Sequence, residues 1–260
     1  MAVMPLKAGS ERTALLRLLP TGRSILLGFA LVLGAVGLYA LARVTPMFAL
    51  QRIEVKGGSP ALAARVRGAL EPLHGTSLLA LDGTEVDQRL SALTDVAAAS
   101  YDRAFPHTLR VVVRPERPVA IARQGGDAWI VAASARVIAS SPPHARSDLP
   151  RIWLTSGAPS LGATLTDRFG LRAVRALALA DEIRLPSRVR TVRARDHDLT
   201  FLLRSGLELR LGDLHAVRLK LAVAARILPG LRAEGDYRYL DVSVPVRPVA
   251  GTTVNPKVEP

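Results

Sequence analysis

The chain of 260 residues contains no cysteine, which excludes disulfide bonds, thiolate zinc sites and cysteine nucleophiles. Aromatic residues are scarce at 4%, and lysine is rare beside arginine. The net charge is +13, but the arginines are scattered and form no long basic run. A nucleic-acid footprint requires clustered cations, so the composition argues against nucleic-acid binding. The 49% of apolar residues can stabilise a folded body by core burial alone.

The sequence also lacks the residue patterns of an enzyme. It has no Gly-x-Ser-x-Gly elbow, no Ser-x-x-Lys pair and no glycine-rich phosphate loop. The one group that resembles metal ligands is Asp196-His197-Asp198, and three consecutive residues rarely converge on one ion, so a turn is favoured there. We therefore predict a non-enzymatic protein with no catalytic, cofactor or metal site and no small-molecule substrate. The dispersed histidines fit this prediction: His74, His107, His144, His197 and His215.

One long apolar run without a charged residue lies near the N-terminus, from Ser24 to Ala42. A helix that crosses a bilayer needs about 20 residues at 1.5 Å each, so the run predicts a transmembrane helix over 24–42. A cleaved signal peptide is the alternative, because Ala40-Leu41-Ala42 resembles a small-x-small cleavage site. The length of the run and the segment before it favour an uncleaved anchor. The basic residues of segment 1–23 predict a cytoplasmic tail and an extracytoplasmic body: Lys7, Arg12, Arg17 and Arg23.

The residues after the anchor predict an α+β body with two domains. Apolar periodicity over 48–117 predicts the order strand, helix, helix, strand, strand. Residues 118–248 predict a mixed β domain with two flanking helices, followed by a disordered tail over 249–260. The last strand is predicted over 238–246, where apolar residues alternate with others. The apolar positions of that strand are Leu240, Val242, Val244 and Val246.

Several motifs resemble those of the FtsQ/DivIB family of bacterial cell-division proteins. The most specific lies within Asp102–Ala120, where the family's Arg-x-aromatic-Pro-x-Thr-Leu strand is followed by a Glu-Arg and Pro-x-Ala segment, here Glu116-Arg117-Pro118-Val119-Ala120. Weaker similarities occur in the family's order at Phe48, Ile53–Gly57, Gly206–Gly212 and Tyr239–Ser243. The family's Asp-x-x-Gly turn after Trp129 is replaced by Ala133-Ser134-Ala135, which leaves the geometry of that hairpin open.

The resemblance implies a membrane-proximal POTRA domain and a β domain that recruits other division proteins. The implied partners are FtsB/FtsL-like (DivIC-like) proteins, and the implied location is the division septum, in the cell membrane, as a single-pass type II protein of the divisome. The resemblance also implies that a partner adds a strand to the last strand of the β domain. The candidate partner-binding residues are therefore Tyr239, Leu240, Asp241, Val242 and Ser243.

Three questions stay open at this point. From its residues alone, the last strand is either an open sheet edge or an internal strand. Arg103 and Arg117 are candidates for a contact between the two domains or with another division protein, and the alternative is that both are solvated strand-end residues. Two other functional classes remain alternatives: a POTRA-containing component of polypeptide export, and a secreted cell-wall-modifying enzyme.

Overall fold

The computed structural model describes residues 22–44, 46–142, 148–157 and 159–252. Its first element is helix α1 (Gly22–Val44), which contains the apolar segment Ile25–Arg43. The 23 residues of α1 extend for about 34 Å, which is enough to cross the hydrocarbon core of a bilayer. None of the apolar segment is buried by the described residues. A helix that is apolar on all sides and exposes those sides suits a lipid environment.

A small α+β arrangement follows, in the predicted order. Its elements are a 3₁₀ turn (Pro46–Phe48), β1 (Arg52–Lys56), α2 (Pro60–Leu70), a 3₁₀ turn (Glu71–Leu73), α3 (Gly83–Ser91), β2 (Val96–Ala104) and β3 (Thr108–Pro115). The strands pair in the order β1-β3-β2. Ser59 caps α2, because its Oγ accepts the N–H of Leu62 at 3.2 Å. A cis peptide bond joins Phe105 to Pro106 between β2 and β3.

The rest of the chain forms a nine-stranded mixed sheet with two helices. Its elements are β4 (Pro118–Gln124), β5 (Asp127–Ala132), β6 (Val137–Ser140), β7 (Arg151–Trp153), α4 (Arg168–Glu182), β8 (Val189–Ala194), β9 (Leu199–Leu203), β10 (Glu208–Arg210), α5 (Val217–Glu234), β11 (Tyr239–Asp241) and β12 (Val249–Gly251). The strand order is β12-β11-β10-β9-β8-β7-β4-β5-β6. The pairs β4/β7, β7/β8 and β10/β11 are parallel, and the others are antiparallel. The predicted fold class, an α+β chain with a mixed β domain and two flanking helices, is confirmed.

Helices α4 and α5 pack on one face of this sheet. Their buried residues share a core with inward residues of the strands: Val174, Leu177, Leu221 and Leu228 from the helices, and Ile152, Phe201, Leu209 and Leu240 from the sheet. Because side chains alternate along a strand, the neighbours of these strand residues point to the opposite face. That opposite face is called the outer face, and the side chain of Trp153 on it is 50% exposed.

The chain divides into two compact units. One contains the described residues up to Glu54 with Glu71–Asp82 and Asp102–Arg110, and the other contains Val55–Leu70, Gly83–Tyr101 and the described residues from Val111 onward. Within the first unit, Ala49 and Ser77 form a β-bridge. The second unit holds the nine-stranded sheet. The sequence-based domain boundary at 117/118 stays a prediction.

Two sequence-based expectations about the C-terminal region are wrong. The last strand was expected over 238–246, but β11 ends at Asp241 because Asp241 Oδ1 accepts the N–H of Ser243 at 2.8 Å and bends the chain. Pro245 cannot donate to a ladder, and the N–H of Arg247 closes a turn on the carbonyl of Val244 at 3.0 Å. The chain therefore returns along β11 as β12, so Val249–Gly251 form a strand and not the start of the disordered tail expected over 249–260; residues 253–260 lie outside the described residues.

Candidate functional site: the open edge of the nine-stranded sheet

The strand expected to bind a partner does not lie at the edge of the sheet. β11 pairs in parallel with β10 on one side and antiparallel with β12 on the other. The hydrogen-bonding groups on both of its sides face the chain's own strands. The expectation that β11 is an edge open to a partner is therefore wrong, and the returning turn after Asp241 is the physical reason.

The five candidate residues of this strand have separate structural roles. Leu240 and Val242 are 1% and 0% exposed and belong to the core. The N–H of Val242 donates to the carbonyl of Arg210 at 2.9 Å, and the N–H of Ser243 is bound by Asp241. Tyr239 and Asp241 lie on the outer face, where Tyr239 is half-buried.

The edge of the sheet is formed by β12. Among the described residues, β12 pairs with β11 on one side and with no strand on the other. The carbonyl of Gly251 accepts the N–H of Arg238 at 2.8 Å and so faces β11. Because successive residues of a strand present their backbone groups to opposite sides, the N–H and carbonyl of Ala250 face the open side. Pro248 precedes β12, a position at which an edge strand tolerates proline.

Exposed apolar side chains accompany this open edge. Val249 of β12 is 53% exposed, and Val244 and Val246 of the preceding turn are 52% and 82% exposed. We call these residues the valine rim. Unpaired backbone beside apolar side chains is the combination that strand addition by a peptide uses.

On the outer face, a stack of side chains packs against the edge strand β12. The ring of Tyr239 lies so close over Gly251 that a Cβ at Gly251 would approach Tyr239 Cε1 to 2.4 Å. The guanidinium of Arg210 lies 4.4 Å from the centre of the same ring. Glu208 holds this arginine, with a carboxylate–guanidinium distance of 3.6 Å. The aromatic ring therefore fixes the position of β12 and leaves its open side unobstructed by Tyr239.

The opposite edge strand, β6, is covered. The N–H of Val137 donates to the carbonyl of Ala163 at 2.9 Å, and the N–H of Gly162 donates to the carbonyl of Val137 at 2.8 Å. Thr94 Oγ1 donates to the carbonyl of Ile138 at 2.9 Å. These contacts occupy the backbone groups that an added strand would need, so β12 is the more accessible of the two edges.

Arg103 and Arg117, the other candidates, are not brought together. Arg103 Nη2 donates to the carbonyl of Leu81 at 2.8 Å within the first compact unit. Arg117 forms an ion pair with Asp181 of α4 at 3.5 Å, in which both side chains are more than half exposed. A contact of either arginine with another division protein stays a prediction.

Arg136, which the sequence analysis did not identify, makes the contact between the two predicted domains that was expected of Arg103 or Arg117. Arg136 donates from Nε to the carbonyl of Gly162 at 2.8 Å, from Nη1 to that of Val96 at 3.2 Å, and from Nη2 to that of Ser91 at 3.1 Å. Residues 91 and 96 belong to the sequence-predicted first domain, whereas Arg136 belongs to the β domain. Within the second compact unit, one guanidinium therefore joins segments from both predicted domains. No local sequence signal distinguishes this arginine from the other arginines.

The Asp196-His197-Asp198 segment is a turn, as expected. It connects β8 to β9, and the N–H of Arg195 donates to the carbonyl of Asp198 at 2.7 Å. In the described part of the chain, no group of three or more His, Asp or Glu residues is arranged to hold a metal ion.

Comparison with known proteins finds similarity to bacterial cell-division proteins. Residues 48–114 match the FtsQ-type POTRA domain. The cell division protein FtsQ of Streptomyces coelicolor is 29% identical over 234 residues, which cover 87% of this chain and 86% of that protein. FtsQ of Streptomyces bingchenggensis is 28% identical over 239 residues, with 88% and 86% covered. FtsQ of Mycobacteroides abscessus is 34% identical over 98 residues, with 38% and 32% covered. Among solved structures, the chain is similar to the major extracytoplasmic domain of the cell division protein DivIB from Geobacillus stearothermophilus. The match covers 46% of this chain and 94% of the DivIB chain, with a TM-score of 0.32 and 14% sequence identity.

Proposed function

This chain belongs to the FtsQ/DivIB family of bacterial cell-division proteins, and we propose that it is a non-enzymatic divisome scaffold that recruits FtsB/FtsL-like partners by strand addition at β12. Helix α1 anchors the protein in the membrane. The excess of basic residues before α1 supports a cytoplasmic N-terminus and a body on the outer side of the cytoplasmic membrane. Membership of this family supports action at the division septum.

The observation that carries the proposal is the open side of β12 beside the valine rim. An added strand would pair with the N–H and carbonyl of Ala250, and its side chains would cover Val249 and Val246. The proposed partner-binding residues therefore lie on β12, one strand closer to the edge of the sheet than the expected Tyr239–Ser243. Tyr239 and Asp241 would then flank the bound strand on the outer face instead of pairing with it.

The test replaces Ala250 by proline in the full chain, reconstituted in lipid nanodiscs. Proline removes the outward N–H of position 250 and keeps the backbone bonds that face β11. The lost hydrogen bond is worth about 1 kcal/mol, and the proline ring occupies the path of the added strand, so the Kd for the FtsB-like partner should rise at least about fivefold.

The matched control is Ala250→Val, which keeps the N–H and adds a residue favourable in strands. It should bind within about twofold of the unchanged protein. Circular dichroism melts would establish that both variants are folded. A folded Ala250→Pro protein that binds the FtsB-like partner with unchanged Kd would refute strand addition at β12.

A further inference from the structure

Three apolar side chains come together in the first compact unit, close in the chain to the end of α1. Met47 and Phe48 belong to the 3₁₀ turn Pro46–Phe48, and Phe105 belongs to the turn between β2 and β3. The rings of Phe48 and Phe105 meet edge to face, with their centres 5.8 Å apart. Met47 is 68% exposed and Phe105 is 51% exposed. We call Met47, Phe48 and Phe105 the anchor-proximal cluster.

Backbone hydrogen bonds hold the two segments of this cluster together. The N–H of Leu78 donates to the carbonyl of Phe48 at 2.8 Å. The N–H groups of Gln51 and Arg52 donate to the carbonyl of His107 at 2.9 and 3.1 Å. These last two bonds join the segment that follows α1 to the turn between β2 and β3. The exposed side chains of the cluster are therefore presented together, by backbone that is hydrogen-bonded within one compact unit.

The length of chain after α1 limits how far the cluster can lie from a bilayer. The apolar segment of α1 ends at Arg43, and a charged residue at the end of a membrane helix lies at the membrane–water interface. Met47 is the fourth residue after Arg43, and four residues of extended chain span at most about 14 Å. The interfacial layer on each side of the hydrocarbon core is about 5 to 8 Å thick. The cluster therefore starts within or just above the headgroups.

The residues around the cluster are of the types that favour a membrane interface. The guanidinium of Arg43 lies 6.0 Å from the centre of the Tyr39 ring, and aromatic and basic residues are typical of the ends of membrane helices. Arg52 is exposed, and a cation beside exposed apolar side chains suits a surface made of phosphate headgroups and acyl chains. Adjacent exposed apolar side chains mark an interaction surface in a folded protein. Continuity with the membrane helix favours lipid as the occupant.

We propose that the anchor-proximal cluster inserts into the interfacial layer of the bilayer and docks the first compact unit onto the membrane surface. Met47 and Phe105 contact the upper part of the acyl chains, and Arg43 and Arg52 contact lipid phosphates. The bilayer thus holds the protein at a second point besides α1, which restricts the tilt of the first unit about the end of the helix. This docking does not require strand addition at β12, so the two proposals can fail independently.

Tryptophan fluorescence tests the docking in the full chain. Phe105→Trp keeps an aromatic ring beside Phe48, and one copy is placed in each nanodisc of phosphatidylcholine brominated near the headgroup end of its acyl chains. Bromine should quench the added tryptophan, measured as the difference from the unchanged protein, by at least about half. Leu41→Trp within α1 should be quenched at least as strongly. The matched control Leu219→Trp, at an exposed position of α5, should lose less than about a tenth of its emission.

A substitution at Met47 separates insertion of the cluster from simple proximity to the anchor. In the Phe105→Trp protein, Met47→Asp places a carboxylate in the interfacial layer and should reduce the quenching at position 105 at least about twofold. Met47→Leu keeps an apolar side chain and should leave the quenching within about a fifth of its original value. Circular dichroism melts establish that the variants are folded. If Phe105→Trp melts early, Met47→Trp replaces it, with Phe105→Asp and Phe105→Leu as the matched pair.

Four results would overturn the proposal. Strong quenching in Leu41→Trp without quenching in Phe105→Trp would show that the helix is inserted and the cluster is not. Absence of quenching in both would refute the insertion of α1, on which the docking depends. Quenching at position 105 that Met47→Asp leaves unchanged would mean that the anchor alone keeps this turn near the lipid. Quenching that appears only in nanodiscs with two copies would assign the cluster to a contact between copies of the protein.

Discussion

Replacement of Asp167 by alanine should strongly destabilise the nine-stranded sheet and its helices. Asp167 is 2% exposed and caps α4, where its Oδ1 accepts the N–H of Gly170 at 2.6 Å. Its Oδ2 accepts the backbone N–H groups of Thr155 and Ser156, both at 2.9 Å, and their hydroxyl groups at 2.7 and 3.2 Å. One buried carboxylate thus fixes the start of α4 and the loop that follows β7.

The magnitude follows from the donors that alanine would leave without a partner. Loss of a helix cap costs about 1 kcal/mol, and each of the two loop N–H groups left without an acceptor costs about 1.5 kcal/mol. The hydroxyl groups can rotate toward other acceptors and are not counted. The free energy of unfolding should therefore fall by about 4 kcal/mol in Asp167→Ala. Asp167→Asn keeps one carbonyl oxygen and should lose about half as much.

The stability contributed by Asp167 should depend on pH in a defined direction. Burial alone would raise the pKa of Asp167, but hydrogen bonds from Gly170, Thr155 and Ser156 outweigh burial and hold that pKa below its ordinary value of 3.8. Because the folded pKa is the lower one, the carboxylate contributes its full stability above pH 3.8, and this contribution is lost as the pH falls through the folded pKa. The difference in the free energy of unfolding between the unchanged protein and Asp167→Asn should therefore become smaller in acid.

Urea unfolding of the full chain in detergent, followed by tryptophan fluorescence, measures these differences. The matched control is Asp236→Ala, since Asp236 is exposed and precedes β11. It should alter the free energy of unfolding by less than about 0.5 kcal/mol. A loss below about 1 kcal/mol in Asp167→Ala, with the control unchanged, would refute the assignment of Asp167 as the hydrogen-bond centre of this loop.

Two further substitutions test the contact of Tyr239 with Gly251 in β12 and the hydrogen bonds by which Arg136 joins distant segments. Gly251→Ala places a Cβ 2.4 Å from the ring of Tyr239 and should lower the melting temperature. The penalty should disappear in a Tyr239→Ala background, and a penalty that persists there would contradict the ring contact. Arg136→Lys keeps the charge but cannot donate to three carbonyls at once, so amide hydrogen exchange should accelerate around Ser91 and Val96. The control Arg175→Lys should leave that exchange unchanged, and equal protection in both variants would contradict the role of Arg136.

Local sequence signals were sufficient to predict those elements that are stabilised by their own residues. Leu62, Val66 and Leu70 have the spacing of one helical face, and all three are buried in α2. Ser205-Gly206 is a hairpin signal, and it lies between β9 and β10, where Gly206 has a φ of 90°. These signals depend on residues close in sequence, which is why they could be read from the chain alone.

Elements defined by distant partners could not be read in this way. β7 has three residues and is held between β4 and β8, so its sequence is too short for a periodic pattern. The hairpin of β5 and β6 forms without the family's glycine because Ala135 adopts a φ of 67°. The end of β11 had a local signal, since Asp241 two residues before Ser243 favours a bend, but the regular alternation of valines concealed it.

The sequence analysis expected the open edge of the sheet on the strand of Tyr239–Ser243, whereas the edge strand is β12; partner binding at either strand stays a prediction. The identity of an edge strand depends on which segments pair, and β12 pairs through only three residues. A three-residue strand bounded by Pro248 carries no strand pattern of its own. The role of Arg136 depends on three carbonyls that are far apart in sequence, so no motif could separate it from Arg103 or Arg117.

The short open edge limits how much affinity the backbone can supply. Ala250 offers one N–H and one carbonyl, which together are worth about 2 kcal/mol, whereas a micromolar complex requires about 8 kcal/mol. Complete burial of one valine contributes at least about 1.5 kcal/mol, so the valine rim can supply more than the backbone does. Short edge strands also restrain unwanted pairing between copies of a protein. The proposed strand addition at β12 would therefore set the register of a partner, while side-chain contacts beyond β12 would provide most of the affinity.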